Sequence, residues 1–163
     1  MKRTLLELMG VHESLRERFA EHRDFVVGLE FGKALESLEV FERELVDHMR
    51  AEEKHILPLY ERRVGRIPGG DPQFFHLEHR NLLRNLSALK EALGRLAGDR
   101  GAGRRQAHEF LHQEALFLHL LEHHDGRERN ILYPSLDRVL TDGEREALLA
   151  VCGAQAKRGS SGP

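Results

Sequence analysis

His48-Met49-Arg50-Ala51-Glu52-Glu53-Lys54-His55-Ile56-Leu57-Pro58 returns later in the chain as His124-Asp125-Gly126-Arg127-Glu128-Arg129-Asn130-Ile131-Leu132-Tyr133-Pro134. Each copy reads His-x-x-x-Glu, and each reaches a proline ten residues after its histidine. A His and a Glu four apart on a helix lie one turn apart on the same face. Two such pairs on facing helices would gather two imidazoles and two carboxylates around one point. That outlines a metal site, and its mixed nitrogen and oxygen donors suit iron or manganese better than zinc-thiolate chemistry.

Around these segments the chain reads as helix throughout. Leu, Ala, Glu and Arg dominate, apolar residues recur at intervals of three and four, and strand signals are nearly absent. Gly and Pro cluster at Gly28 to Gly32, Gly65 to Pro72, Gly98 to Gly103 and Pro134, cutting the chain into helical stretches near 3–26, 33–63, 72–97 and 104–133. Asp71-Pro72 reads as an N-cap followed by proline at the first helical position. Thr141-Asp142-Gly143-Glu144 reads as a capping box opening a short fifth helix that ends near Cys152-Gly153. Short connections between long helices make neighbours antiparallel. The expected fold is therefore all-α: an up-down-up-down antiparallel four-helix bundle with a short fifth C-terminal helix. The domain is expected to occupy 1–153, with 154–163 a disordered tail.

At 163 residues the chain can bury one real core. A net charge of -2 gives no bulk electrostatic case for nucleic acid or an anionic membrane. No apolar run reaches membrane-spanning length, and an acid and a His early in the chain break any signal-peptide pattern, so a cytoplasmic protein is expected. A single cysteine excludes an internal disulfide framework and a cysteine-based zinc site. The compositional anomaly is 11 histidines.

A helical wheel at about 100° per residue sorts those histidines. His12 falls in the stripe Leu5, Leu8, Met9, Leu15, Phe19 and Val26, so it points inward. His48, Glu52 and His55 share a face with Ala34, Leu38, Phe41, Leu45, Ile56 and Leu59. His79 lies with Phe75, Leu82, Leu83, Leu86 and Leu93, and His76 one turn earlier is displaced toward the flank. His124 and Glu128 align with Phe110, Phe117, Leu120, Leu121, Ile131 and Leu132. His108, His112 and His119 fall on the opposite side and read as surface; His22 and His123 read as flank.

An inward carboxylate in an apolar stripe must be expelled, neutralised or paired. Two that converge repel unless a cation lies between them. Divalent ions resolve this, with neutral imidazoles filling the remaining positions. Any one inward His is explained as well by an ordinary core hydrogen bond, and one His-x-x-x-Glu by a surface ion pair. The metal reading rests on the whole set. His55, two turns from His48 in the slot held by Ile131 in the other copy, reads as pocket lining. His76 stays open between ligand and flank. Glu53, matched by Arg129, reads as a solvated charge, and Tyr60 and Tyr133, which do not match in the repeat register, receive no role.

In this order, the motifs resemble the hemerythrin-like (HHE cation-binding) family. His12 stands for the family's first-helix His, "HMRAEEKHILP" (48–58) looks like its second-helix signature, "LEHRNLL" (77–83) its third, and His124 with Glu128 its fourth. The resemblance covers about 3–140 and implies two non-haem iron ions bridged by Glu52 and Glu128. It implies His12 and His48 on one iron, and His79 and His124, with His76 if it joins, on the other; manganese or zinc is less favoured. Gly126 inside the second motif departs from the pattern. It is expected to mark a local bend or bulge at the site, which loosens the Glu128 assignment and, if the helix distorts, lets Asp125 compete as a ligand.

The resemblance also implies O2 or NO as the small ligand, with Phe41, Phe117, Leu45, Leu82 and Leu121 excluding water. A binding protein for O2, NO or iron is the leading expectation. A di-iron enzyme with peroxidase-like, NO-reducing or iron-centre repair activity, and a helical interaction domain with a vestigial or different metal site, are the alternatives. No nucleophile–base pair or phosphate-cradling loop is legible.

Overall fold

The computed structural model describes residues 3–153; the tail at 154–163 lies outside the described residues. The described residues form no strand. A 3-10 turn, Leu5–Leu8, leads into α1, Met9–Val27. Helix α2, Phe31–Ala51, runs through a π turn, Glu52–Ile56, into α3, Leu57–Arg63. Helix α4 is Pro72–Gly98. Helix α5, Arg104–Arg127, runs through a second π turn, Glu128–Leu132, into α6, Tyr133–Asp137, and α7 is Asp142–Gly153. Counting each π-interrupted column as one helix, four long helices pack together and a short one follows, as the periodicity predicts. Helix α1 packs on α2 and α5, and α4 packs on the same two, so the four columns close into an up-down-up-down ring.

The caps form as read. Asp71 accepts from the Gln73 N–H at 3.0 Å with Pro72 at the first helical position. The Glu144 N–H donates to Thr141 Oγ1 at 3.3 Å while Glu144 Oε2 accepts from the Thr141 N–H at 2.9 Å. In the loop before α4, the Tyr60 hydroxyl donates to Gly70 O at 2.8 Å. A Cβ on Gly70 would sit 2.5 Å from that hydroxyl and 2.6 Å from Ile131, so only glycine lets the loop lie this close to both motif helices.

The shared proline explains the two π turns. Pro58 and Pro134 have no N–H and clash with the carbonyl four residues back, which breaks the α register just ahead of them. The chain answers with a wider turn: the Leu57 N–H reaches back to Glu52 O, and the Tyr133 N–H to Glu128 O. The bulge expected at the site is present, as the π turn that opens at Glu128, but Gly126 is not its cause. Helix α5 is regular through Gly126, and an identical widening follows Glu52, where no glycine is present.

Two apolar clusters flank a polar layer. The larger runs through Leu15, Phe19, Phe41, Leu45, Phe117 and Leu121, with Phe19 ring centroids 5.0 Å from Phe41 and 5.3 Å from Phe117. Each such side chain, fully buried, contributes roughly 1.5–3 kcal/mol. The smaller holds Leu5, Leu8, Ile56, Leu57, Tyr133, Leu136, Leu149 and Cys152. Helix α7 thus closes the end of the bundle that carries Tyr133. Arg145 clamps it, donating from Nε to Asp137 Oδ1 at 2.8 Å, while Asp137 Oδ2 accepts from the Leu5 N–H at 3.0 Å.

Candidate metal centre

Six of the sequence-derived residues meet in the polar layer. His12, His48, Glu52 and Glu128 form one group, and Glu52, His79, His124 and Glu128 a second; within each, one nitrogen or oxygen per residue lies within 4.8 Å of all the others. All six are buried, the two glutamates at 0% exposure. The groups share their carboxylates. Glu128 turns Oε2 toward His12 Nε2 at 3.2 Å and Oε1 toward His124 Nε2 at 3.1 Å. Glu52 Oε2 lies 3.5 Å from His79 Nε2 and 3.6 Å from His48 Nε2. In each group the two imidazoles meet edge to face, with centroids 4.6 Å apart for His12–His48 and 4.9 Å for His79–His124.

The remaining residues named from the sequence fall outside. His76, three residues before His79, is half-exposed, its Nδ1 3.7 Å from Glu53 Oε1, and belongs to neither group. His55 is half-buried and also outside. His108, His112 and His119 are exposed, as the wheel places them.

The structure adds what the wheel overlooked. Three of the four inward imidazoles hold a carboxylate at Nδ1: His12 with Asp125 Oδ1 at 2.8 Å, His79 with Glu53 Oε1 at 2.9 Å, and His124 with Glu78 Oε2 at 3.2 Å. Glu53 is therefore not simply a solvated charge, and Asp125 faces a ring nitrogen instead of competing for the centre. Arg127 Nε anchors Glu78 at 2.7 Å. Each carboxylate adjoins a site residue on its own helix and serves a histidine on the next, so the legible signal was an acid immediately beside a motif residue. An acceptor at Nδ1 fixes the tautomer that leaves Nε2 free to bind a metal. His48 is the exception: its Nδ1 is buried without a partner.

Tyr133 was also missed. Its hydroxyl donates to Glu52 Oε1 at 2.6 Å and lies 3.3 Å from His12 Nε2 and 3.4 Å from Glu128 Oε2. The repeat register pairs Tyr133 with Leu57 and so gives it no role, and a regular helix across the π turn would place it roughly 140° away from Glu128.

Five buried polar atoms in this layer have no hydrogen bond: His48 Nδ1, Glu52 Oε2, Glu128 Oε1, His79 Nε2 and His124 Nε2. The last four belong to residues of the second group. Without a cation, protons carry the balance. Burial, reinforced by the Glu52 charge, pushes the Glu128 carboxyl up to about 8. Glu52 is penalised by burial as well, yet the imidazoles, His48 foremost, hold it well below the usual range. Burial depresses His79, but Glu128 and Glu52 outweigh it and raise the imidazole to about 10. Burial takes His48 down to about 4. A group this buried, acidic and short of hydrogen bonds fits a cation.

A second buried His–Glu pair shows the contrast. His22 Nδ1 lies 2.8 Å from Ala34 O, and its Nε2 2.5 Å from Glu114 Oε1, with Arg23 Nε 3.2 Å from Glu114 Oε2. His22 is buried rather than flanking, and Glu114 occupies the stripe Phe110, Glu114, Phe117, Leu121, where spacing alone could have found it. Here both ring nitrogens are hydrogen-bonded, and the Arg23 guanidinium supplies a counter-charge to Glu114 Oε2 although Arg23 Nε and Glu114 Oε2 make no hydrogen bond, so no metal is called for.

On the larger apolar side, Leu15, Leu45 and Leu121 roof the layer over His12, His48, His124 and Asp125, enclosing a gap too narrow for a water molecule. On the other side burial raises the Cys152 thiol to about 12, with the Glu52 charge adding to it, so it stays protonated. Among the described residues no helix is long and apolar enough to cross a membrane. Searches of protein-family models, curated proteins and solved structures return no match for this chain.

Proposed function

We propose that the protein is a non-haem di-iron binding protein of the hemerythrin-like type, whose centre takes up a diatomic gas, O2 or NO. The observation that carries this reading is the pair of buried His/Glu groups sharing two carboxylates, with four of their donor atoms lacking hydrogen bonds. His12 and His48 would hold one ion, His79 and His124 the other, and Glu52 and Glu128 would bridge them; His76 would stay outside. Imidazole and carboxylate together favour iron or manganese over zinc-thiolate chemistry. Bound ferrous iron supplies an open coordination position and an electron donor for the gas.

The chain's own residues do the rest. Asp125, Glu53 and Glu78 hold three imidazoles in the binding tautomer. Leu15, Leu45 and Leu121 cover His12, His48 and His124 with apolar surface and keep water out, an environment that suits a small uncharged ligand better than a polar substrate.

Anaerobic reconstitution with ferrous iron should give close to two irons per chain, one for each group. Exposing the reduced protein to O2 or NO should give a colour change that reverses when the gas is removed. Stoichiometric zinc with no iron uptake would refute the di-iron reading. Immediate irreversible oxidation with peroxide turnover would move the assignment to a di-iron oxidase.

A further inference from the structure

Tyr133 stands among the donor atoms themselves. Its side chain is 0% exposed. Around its oxygen lie three atoms of the donor set: Glu52 Oε1 at 2.6 Å, His12 Nε2 at 3.3 Å and Glu128 Oε2 at 3.4 Å. His12 Nε2 also lies 3.0 Å from His48 Nε2, with Asp125 at the His12 Nδ1. The hydroxyl has one proton, directed to Glu52, and its oxygen stands within the same layer as the ring nitrogens and carboxylates of the first group. Tyr60, in the same apolar cluster, shows the ordinary arrangement: its hydroxyl donates to a single acceptor, Gly70 O. Resting on the di-metal reading above, we propose that Tyr133 Oη is a ligand of the ion held by His12 and His48.

The π turn delivers it there. Five residues on a regular helix would set Tyr133 roughly 140° around from Glu128. Because the Tyr133 N–H bonds to Glu128 O, Tyr133 comes instead one turn beyond Glu128 on the same side. Leu57 holds the corresponding place after Glu52 and has no donor atom. The two ions thus differ in kind: the first has two imidazoles, two carboxylates and a phenolate, the second only two imidazoles and two carboxylates. The phenolate approaches from the side closed by α7, away from the apolar roof of Leu15, Leu45 and Leu121. A hard anionic oxygen favours the ferric state of the first ion and leaves the open position to the second. Loading forms the Oη–metal bond and breaks the O–H bond. The proton passes along the 2.6 Å contact to Glu52 Oε1 and leaves to solvent with the others that metal binding displaces; no electron moves.

The test uses the full chain, loaded with iron and oxidised to the ferric state. The wild type should show a visible phenolate-to-iron charge-transfer band, with resonance Raman modes that shift when tyrosine is supplied ring-deuterated. The chain has two tyrosines, so Tyr60→Phe should keep the band and Tyr133→Phe should lose it while still holding iron in the second group. Should Tyr133→Phe fail to fold, the wild-type Raman shift together with Tyr60→Phe assigns the band. A wild type with two irons and no phenolate modes, or a band that survives Tyr133→Phe, overturns the proposal and leaves the di-iron reading standing. A chain that takes up no iron overturns both.

Discussion

The two copies of the motif share one backbone and differ in what surrounds it. Both carry a buried His and Glu, both widen into a π turn at the Glu, and both restart the helix at a proline. Their environments part at the neighbouring positions. Asp125 beside His124 serves His12, whereas the matching Met49 serves no ring nitrogen. His124 has Glu78 at Nδ1, whereas His48 Nδ1 has no partner. Tyr133 sits under Glu128, and Leu57 under Glu52. The His, Glu and Pro of the repeat therefore set the frame, and the residues between them decide how tightly and how symmetrically it is filled.

The largest effect belongs to the shared carboxylates. Glu52→Ala and Glu128→Ala should each abolish binding of both ions, because each glutamate belongs to both groups. His79→Ala should cost one ion and spare the other, since His79 belongs to the second group alone. Metal analysis after reconstitution reads both outcomes. Equal loss of both ions in His79→Ala would mean that the groups fill as one unit.

Without iron the copies separate by pH. Glu128 is raised from 4.5 to about 8 by burial, with the Glu52 charge adding to it. The folded state then keeps a proton that the unfolded state has lost, so stability falls as pH rises from 4.5 toward 8. His79, raised from 6.5 to about 10, adds stability that is present below 6.5 and lost as pH rises through 10. His48, lowered from 6.5 to about 4, acts in the opposite sense, removing stability as pH falls across that range. The thermal midpoint of the metal-free protein should therefore drop between pH 6.5 and 8, each proton contributing up to about 1.4 kcal/mol per pH unit. Glu128→Gln, neutral throughout, should flatten that drop, and iron loading should remove it. A metal-free midpoint that climbs over this range would contradict the assignment.

The acids at Nδ1 come next. Glu53→Gln and Glu78→Gln should each weaken iron binding by about 10–100-fold, with most of the loss at the second group. Glu52 and the adjoining apolar core stay in place in both variants, so circular dichroism should be unchanged.

What the sequence disclosed and what it hid divide along the same line. Helix count, caps and the inward face of His12, His48, His79 and His124 follow from a regular period of 3.6, and that period holds through most of each helix. It fails at the π turns. Beyond Glu52 and Glu128 a regular wheel is out of phase, and Tyr133, which has no tyrosine opposite it in the repeat register, receives no role from the sequence although it touches both glutamates. Proline at a fixed distance was the available sign: it removes an N–H inside a helix that nonetheless continues. Glu53, Glu78 and Asp125 were hidden for another reason. Their partners lie on neighbouring helices, and pairing across helices depends on rotations that a single-helix wheel does not contain. Glu114 was visible on its own stripe, and only its pairing with His22 required the fold.

The smallest effect concerns Gly126, the residue that most set the second copy apart in sequence. Its counterpart in the first copy is Arg50, exposed on the same turn, and the two backbones widen alike. A Cβ built on Gly126 meets nothing within 4 Å, and the helix there is regular. Glycine in a helix interior costs about 0.5–1 kcal/mol relative to alanine through its extra freedom in the unfolded chain. Gly126→Ala should therefore stabilise the protein by up to about 1 kcal/mol in denaturant unfolding and leave iron content unchanged. If it instead lost iron, the π turn after Glu128 would depend on glycine flexibility that the turn after Glu52 manages without. The proline account of both turns would then hold for the first copy alone.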